Sequence, residues 1–403
     1  MRLYWIPLLI ALVVNIAIDV FIYKRLRQSV HFPKWARFAH ATGAVVLYGM
    51  LGMASYLAHQ PENESLRIAM YLLAMFYSVQ AIKVTSLCIY ALSWLKRCGS
   101  KMKRLWRATS ALVGLAMVAL IVWGMAVTPF TFEVRNVTIE SSRLPSGFDG
   151  YRIAQFSDTH LGFYGTDTTY ITQVVDSINA LKPDLICFTG DLVNRQSHEA
   201  DPFVSVLRRL KAKDGVVSIR GNHDDRMYYH WANDAAWEKD SLRLEDLERK
   251  MGWRLLVDEH YFLHHGGDSI LVMGMRCLRN GEGEGGGLYR QLQKTYPAFK
   301  SDSTHYRLML QHGSTPWKWM KAETWVDLML AGHTHGMQME LRLFGKRISP
   351  AVFLYPQWGG LYESEDGSEQ QIYVNIGIGQ VGMPMRIGAS IPEITLITLK
   401  TKK

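Results

Sequence analysis

The sequence predicts an α/β domain with buried mixed sheets, preceded by an all-α membrane region of four helices. Three observations carry the prediction. Positive charge is concentrated in the first 128 residues, apolar runs of about 20 residues crowd that same stretch, and short apolar runs alternate with helix-length segments after Pro129.

Residues 1–128 hold 14 Lys or Arg and only three acids, Asp19, Glu62 and Glu64, for a net charge of +11. The rest of the 403-residue chain is −2. The bases flank apolar runs, which marks membrane segments, whereas a nucleic-acid binder carries a basic stripe on its folded domain. Nucleic acid is therefore not an expected partner. A bilayer core takes about 20 apolar residues in helical form. Four runs reach that length, at about 3–23, 36–58, 66–95 and 105–128. The first is not a cleaved signal, because no small-x-small site follows it and Lys24, Arg25 and Arg27 lie on its far side.

Basic loops stay on the cytoplasmic side. One loop holds Lys24, Arg25, Arg27, Lys34 and Arg37, and another holds Lys96, Arg97, Lys101, Lys103 and Arg104. The loop between them in sequence (HQPENES) has two Glu and no Lys or Arg. The expected topology is a multi-pass protein of the cell membrane with its C-terminal domain extracytoplasmic. Lys83 lies inside the third run, where a charge is costly and either functional or accommodated by snorkelling or by pairing with a polar group such as Asp19 in the first.

After Pro129 the chain changes character. Residues 131–141 alternate as a strand does, and apolar runs follow at 151–156, 184–189, 216–219, 270–275, 306–310, 326–331, 372–376 and 393–399. Helical stretches fit at 167–181, 199–211 and 241–250. Strand and helix in alternation read as α/β, and the thinning of helices toward the C-terminus predicts a mixed sheet. The expected division is a membrane region at 1–128, a linker and first strand at 129–147, and a catalytic domain at 148–403. The Gly-rich stretch 280–287 reads as a loop with solvated Glu282 and Glu284. Four cysteines without a CxxC spacing support neither a disulfide framework nor a thiolate zinc site.

Residues of metal-binding type cluster where the apolar runs end. FSDTHLG supplies Asp158 and His160, FTGDLVNR supplies Asp191 and Arg195, and IRGNHDD supplies Asn222, His223 and Asp224. LQHGS supplies His312, and AGHTHG supplies His333 and His335. In extended chain, residues two apart point to one side, so Asp158/His160 and His333/His335 are each expected to share a cavity. Imidazole and carboxylate without thiolate suit Mn, Fe, Zn or Co. Two divalent ions repel, so a shared carboxylate is expected, with Asp191 the best candidate. Such a pair acidifies water and clamps both oxygens of an in-line displacement, so metal-bound hydroxide is the expected nucleophile.

The order DxH, GDxxxR, GNHD, H, GHTH resembles the calcineurin-like metallophosphoesterases over roughly 148–400. That resemblance implies a four-layer α/β/β/α sandwich of two mixed sheets. It also implies that Asp158, His160 and His335 hold one metal with Asp191, and that Asn222, His312 and His333 hold the second, with Asp191 bridging. His223 is then the group that contacts phosphate and protonates the leaving oxygen, with Asp224 beside it as an orienter. The tail, with Gly359–Tyr362, the run 375–386 (NIGIGQVGMPMR) and Pro392-Glu393, resembles the membrane-associated YkuE-like branch. There Gly377, Gly379 and Gly382 are expected to shape a loop near the metals. Arg195 and Arg386 are the candidate substrate-binding residues, each with structural ion pairing as the competing reading.

These readings converge on a membrane-anchored phosphodiesterase or phosphomonoesterase acting on an envelope or lipid-linked substrate. Two alternatives stay open: a cytoplasm-facing pyrophosphatase of a nucleotide-activated lipid of the UDP-diacylglucosamine type, and a non-enzymatic scaffold or sensor.

Overall fold

The computed structural model describes residues 5–28, 33–60, 62–95, 99–277, 287–319 and 326–402. The expected loop at 280–287, with Glu282 and Glu284, lies almost wholly outside these residues, as do Lys96 and Arg97. The described chain forms two compact units, one of residues 1–123 with 382–384, the other of 124–381 with 385–403.

The first unit consists of α1 (Trp5–Gln28), α2 (Lys34–Ala58), α3 (Asn63–Ala91) and α4 (Ser100–Ala126). Among the described residues, three helical segments are long and apolar enough to cross a membrane: Lys34–Ala58, Asn63–Trp94 and Ser100–Phe130. The first expected run is a helix of 24 residues. Of the readings open for Lys83 of α3, pairing is the one observed: its Nζ lies 2.7 Å from Asp19 Oδ1 in α1. Tyr48 of α2 donates to the other carboxylate oxygen at 2.9 Å. A buried charge in an apolar bundle persists where such partners satisfy it.

The second unit contains fifteen described strands: β1 (Glu133–Ser141), β2 (Arg152–Phe156), β3 (Leu185–Phe188), β4 (Val216–Ser218), β5 (Arg254–Leu255), β6 (Glu259–His265), β7 (Asp268–Gly274), β8 (Arg307–Leu310), β9 (Leu328–Ala331), β10 (Met339–Leu343), β11 (Lys346–Ile348), β12 (Gly360–Glu363), β13 (Gln371–Val374), β14 (Ile387–Gly388) and β15 (Glu393–Thr401). One sheet runs β1-β15-β2-β3-β4-β5, the other β12-β13-β9-β8-β7-β6, and a small sheet runs β11-β10-β14. In the first, β2 to β5 are parallel and β15 is antiparallel to β2. In the second, β13, β9, β8 and β7 are parallel and both edge strands are antiparallel. Both sheets are mixed, as expected.

Period-two alternation builds the layers. Ile153, Leu185, Cys187 and Val217 of one sheet pack against Val272, Leu308, Leu310 and Leu330 of the other in a single core. The residues between these on the second sheet, Leu271, Met273, Met309 and Met329, pack outward against Leu292 of α8 (Gly287–Thr295). On the first sheet, α5 (Thr169–Ala180) buries Ile171, Val174, Val175 and Ile178, a stripe of helical spacing. With α6 (Val204–Leu207) and α7 (Asp234–Met251), the result is a four-layer α/β/β/α sandwich. The helix expected at 199–211 is mostly a 3-10 turn over Ser197–Phe203. Pro202 removes a donor there, and Glu199 folds back into a capping box with Gln196. Strands β5, β6, β10 to β12 and β14 were not anticipated, because they are short or rich in polar residues.

The edge strand β1 is tied to β15 by Arg135, whose Nη1 lies 2.6 Å from Oε2 of the fully buried Glu393. Burial pushes the Glu393 carboxyl up, and the Arg135 guanidinium opposes that shift. Replacing Arg135 by Met strands a buried carboxylate and is expected to destabilise the domain by about 3–5 kcal/mol. The full chain in detergent should lose Tm, and Arg135→Met/Glu393→Gln together should recover most of the loss. An unchanged Tm for the single variant contradicts the ion pair.

Candidate metal centre

The carboxyl ends of β2, β3 and β4 in one sheet meet those of β8 and β9 in the other. Gln155, buried at the end of β2, joins them: its Nε2 donates to Thr189 Oγ1 at 3.2 Å and to the Ala331 carbonyl at 2.9 Å. All the expected donors follow these strands, where ligands bind in open α/β sheets.

The backbone there is bent. Asp158, His160, Asp191, His333 and His335 all have φ between 47° and 75°. Left-handed backbone costs a non-glycine residue roughly 1–2 kcal/mol, so its concentration at these five positions points to a site that demands it. It also changes how the pairs are presented. Asp158 and His160 reach one cluster by turning, not by extended alternation, and His333 and His335 face different clusters. Gly221 allows the closest approach, since a Cβ at that position would collide with the Asp191 carboxylate.

Three groups of donors lie within ligand-sharing distance among the described residues: Asp158, His160 and His335; Asp191, His312 and His333; and His160, Asp191 and His223. In the first, His160 Nε2 is 3.1 Å from His335 Nε2, and His335 Nε2 is 3.3 Å from Asp158 Oδ1. In the second, His333 Nδ1 is 3.2 Å from His312 Nε2 and 2.7 Å from Asn222 Oδ1. Asp191 Oδ2 stands between them, 3.1 Å from His312 Nε2 and 3.6 Å from His160 Nε2. One carboxylate oxygen thus faces both groups.

Neighbouring groups hold these donors in place. His312 Nδ1 lies 2.7 Å from the Thr189 carbonyl, which fixes the proton on Nδ1 and turns the Nε2 lone pair inward. Asp158 accepts the His333 amide on both oxygens. The loop after β13 closes over Asp158. The Gly377 amide donates to Asn375 Oδ1 at 2.8 Å, and a Cβ at Gly379 would strike the Asp158 and Thr159 carbonyls.

His223 sits on the rim. Its main-chain amide donates to Asp191 Oδ1 at 2.8 Å, and its Nδ1 lies 2.8 Å from the Asn194 carbonyl. Its ring stacks on Tyr228 at 3.8 Å between centroids. The expected orienter, Asp224, is engaged elsewhere. Its carboxylate accepts the amides of Asp191, Gly221, Leu192 and Val193, at 2.8–3.1 Å, and so braces the Asp191 loop instead of the His223 ring. The Asn194 carbonyl takes the orienting part. Glu199 in turn accepts the amides of Asn194, Arg195 and Gln196.

The two candidate anion-binding arginines are both buried. Arg386 is wholly buried, and its Nη2 donates to the carbonyls of Ile376, Gly377 and Gly379 at 2.7–3.0 Å. It clamps the loop beneath His335 through carbonyls, where an ion pair with an acid was the competing expectation. Arg195 is also mostly buried, and its charge acts on the Glu199 carboxylate.

Charge at the centre is tightly balanced. Burial acts to raise Asp191, but the imidazoles of His312, His223 and His160 hold it well below the usual carboxylate range. Burial acts to lower His312, and Asp191 with Asp158 pushes it up to about 10. Burial and the His312 charge bring His333 down to about 4. Burial and His223 likewise keep His160 well below its usual range. Paired ring nitrogens 3.1–3.2 Å apart, with carboxylate oxygens facing them, form a donor set without thiolate that fits hard-to-borderline divalent cations.

Sequence reasoning anticipated every donor in these groups. It missed Asn194, Tyr355 and Glu199, because a main-chain carbonyl or a supporting contact leaves no residue-type signature. Tyr355 places its hydroxyl 3.2 Å from His333 Nε2. Tyr228 lies in the aromatic stretch that follows GNHD, and its position just after the His223 block was the available signal.

A double-sheet α/β sandwich with clustered imidazole and carboxylate donors at its strand ends is the architecture of a metallophosphoesterase. The chain belongs to the calcineurin-like phosphoesterase family, whose model matches residues 151–337. It is similar to the metallophosphoesterase YkuE of Bacillus subtilis, at 34% identity over 280 residues, covering 68% of this chain and 87% of that one. A metallophosphoesterase of Campylobacter jejuni is 26% identical over 405 residues, and the match spans 96% of each chain. The transmembrane protein with metallophosphoesterase domain of Danio rerio is 28% identical over 284 residues, 70% of this chain and 60% of that one. With its apolar helices, the chain is a membrane protein of this family.

An ion held by His312 would have to displace the proton that Asp191 and Asp158 favour on it. Below about 10 the metal-free site is protonated at His312, so binding should release about one proton there and tighten as pH rises. Titrating metal-free protein with Mn²⁺ in weak buffer at pH 7 should acidify the solution. His312→Ala should abolish that release, and no acidification in the unaltered protein contradicts the ligand assignment.

Proposed function

We propose that this protein is a membrane-anchored phosphoesterase that uses two divalent ions, of Mn, Fe, Zn or Co, to hydrolyse phosphodiester or phosphomonoester bonds, with a lipid-linked envelope molecule as substrate. The observation that carries the reading is the single Asp191 oxygen facing two donor groups, with His223 on the rim. Asp158, His160 and His335 would hold one ion, and Asn222, His312 and His333 the other, with Asp191 between them. A bound pair of divalent cations supplies Lewis acidity, making water more acidic and neutralising phosphoryl charge.

The chain's own residues supply the rest. His223 keeps Nδ1–H on the Asn194 carbonyl, so its Nε2 is the nitrogen that carries and delivers a proton to the leaving oxygen. Tyr228 covers one face of that ring and fixes its plane. Asp224 keeps the Asp191 loop in its bent conformation through three of its amides and ties it to Gly221 through a fourth. Arg195, four residues beyond Asp191, is the side chain we assign to phosphoryl contact. Lipid linkage is favoured because the same chain carries the membrane helices. The charge pattern of the loops supports four spans with the catalytic domain extracytoplasmic.

Purified full-length protein loaded with Mn²⁺ should hydrolyse bis-(p-nitrophenyl) phosphate. His223→Ala should lower kcat by about 10²–10⁴-fold while metal content stays constant. Unchanged turnover in that variant sinks the proton-donor role, and no turnover on a panel of phosphoesters sinks the enzymatic reading. Reporter fusions at the C-terminus should be active only with an extracytoplasmic reporter, and the opposite pattern reverses the topology.

A further inference from the structure

We propose that the β10–β11 hairpin and the turn after it form a docking surface for an anionic lipid bilayer. The observation is an inverted hairpin. A surface hairpin normally turns its apolar face to the core and its polar face to water. Here Glu340 is the fully buried residue of β10, held by Arg347 through contacts of 2.7 and 2.9 Å. Arg347 also donates to the Gly359 carbonyl at 3.0 Å, so the ionic face is the one anchored to the domain. The opposite face, Met339, Leu341 and Leu343 with Ile348 across the ladder, is exposed.

The tip repeats the inversion. Leu343 pairs with Lys346 around a two-residue turn, Phe344-Gly345, with φ of 50° and 77°. Such turns select Asn, Asp or Gly, because left-handed backbone is an outlier for a bulky residue. A fully exposed phenylalanine stands there instead. The chain then enters the short turn Pro350–Phe353, capped by Ser349, and presents Phe353 at 87% and Leu354 at 66% exposure. The next residue is Tyr355, whose hydroxyl touches His333. The apolar surface therefore runs along the chain directly into the metal centre.

Contiguous exposed apolar surface of this kind marks an interaction site. Charge selects its occupant. Residues 339–348 carry a net +2: Arg347 is neutralised by Glu340, which leaves the exposed Arg342 and Lys346 beside the apolar face. Aromatic and aliphatic tips beside basic side chains fit the boundary between acyl chains and anionic headgroups. The helical unit keeps the chain on a bilayer, so a lipid surface accompanies this domain in every copy. Docking would present headgroup phosphates to the donor clusters, and only that last step rests on the function proposed above.

The test uses the full chain in nanodiscs of phosphatidylcholine and phosphatidylglycerol. A photo-crosslinking p-benzoylphenylalanine replaces Phe344, Phe353 or, as a control, the exposed Lys182. Lipid adducts should dominate at 344 and 353 and be absent at 182. Cross-links to protein alone, or yields at 344 and 353 no greater than at 182, overturn the proposal. A second arm compares the Phe344→Asp/Phe353→Asp variant with the unaltered chain. Its kcat/KM on a lipid phosphoester in the nanodisc should fall about tenfold or more, with bis-(p-nitrophenyl) phosphate hydrolysis unchanged. Equal losses on both substrates overturn the docking role. The crosslinking arm is decided without any turnover, so its failure is distinct from failure of the phosphoesterase reading.

Discussion

Asp158 and Asp191 lie buried with imidazoles as their facing partners, and the structure around them is organised by the need to balance that charge. Two carboxylates in low dielectric require cations nearby, and only part of that demand is met by a protonated His312. The donors point inward in two groups that share one oxygen of Asp191. The remaining features follow from holding that oxygen in place: left-handed backbone at five donor positions, a glycine at 221, and the Asp224 carboxylate collecting three amides from the Asp191 loop and that of Gly221. Backbone strain of this size persists where surrounding hydrogen bonds over-determine it.

The fold serves the site by bringing two independent sets of strand ends together. Gln155 is the seam, with one amide group bonded to the ends of both sheets. Arg386 plays a comparable part from the C-terminal loop. A guanidinium donating to three carbonyls converts an irregular glycine-containing segment into a rigid wall below His335. Burial lowers its affinity for a proton, and the three carbonyls all engage its Nη2. That geometry makes an arginine so close to the centre a support for the loop.

Much of this was legible in the sequence. Strands buried on both faces read as apolar runs, and the clustered imidazoles and carboxylates lie where those runs end, while the four layers were implied by the resemblance of the motif order to a known family. The Lys83–Asp19 pair was legible for the same reason: a charge inside an apolar run demands a partner, and few were on offer. Other features were hidden because they depend on the backbone or on which side of an element faces inward. The carbonyl of Asn194 that orients His223 has no side-chain signature. Asp224 looks like a partner for the adjacent His223, but its carboxylate is taken by amides from a loop about 30 residues earlier. Alternation in 339–343 announces two faces, and nothing in the pattern says that the ionic one is buried.

The shared Asp191 oxygen can be tested by electron paramagnetic resonance of the full chain reconstituted with Mn²⁺. Two ions bridged by that carboxylate should give an exchange-coupled spectrum, and Asp191→Asn should convert it to the hyperfine pattern of isolated Mn²⁺. An uncoupled spectrum in the unaltered protein at full occupancy, or coupling that survives the substitution, contradicts a centre built on Asp191.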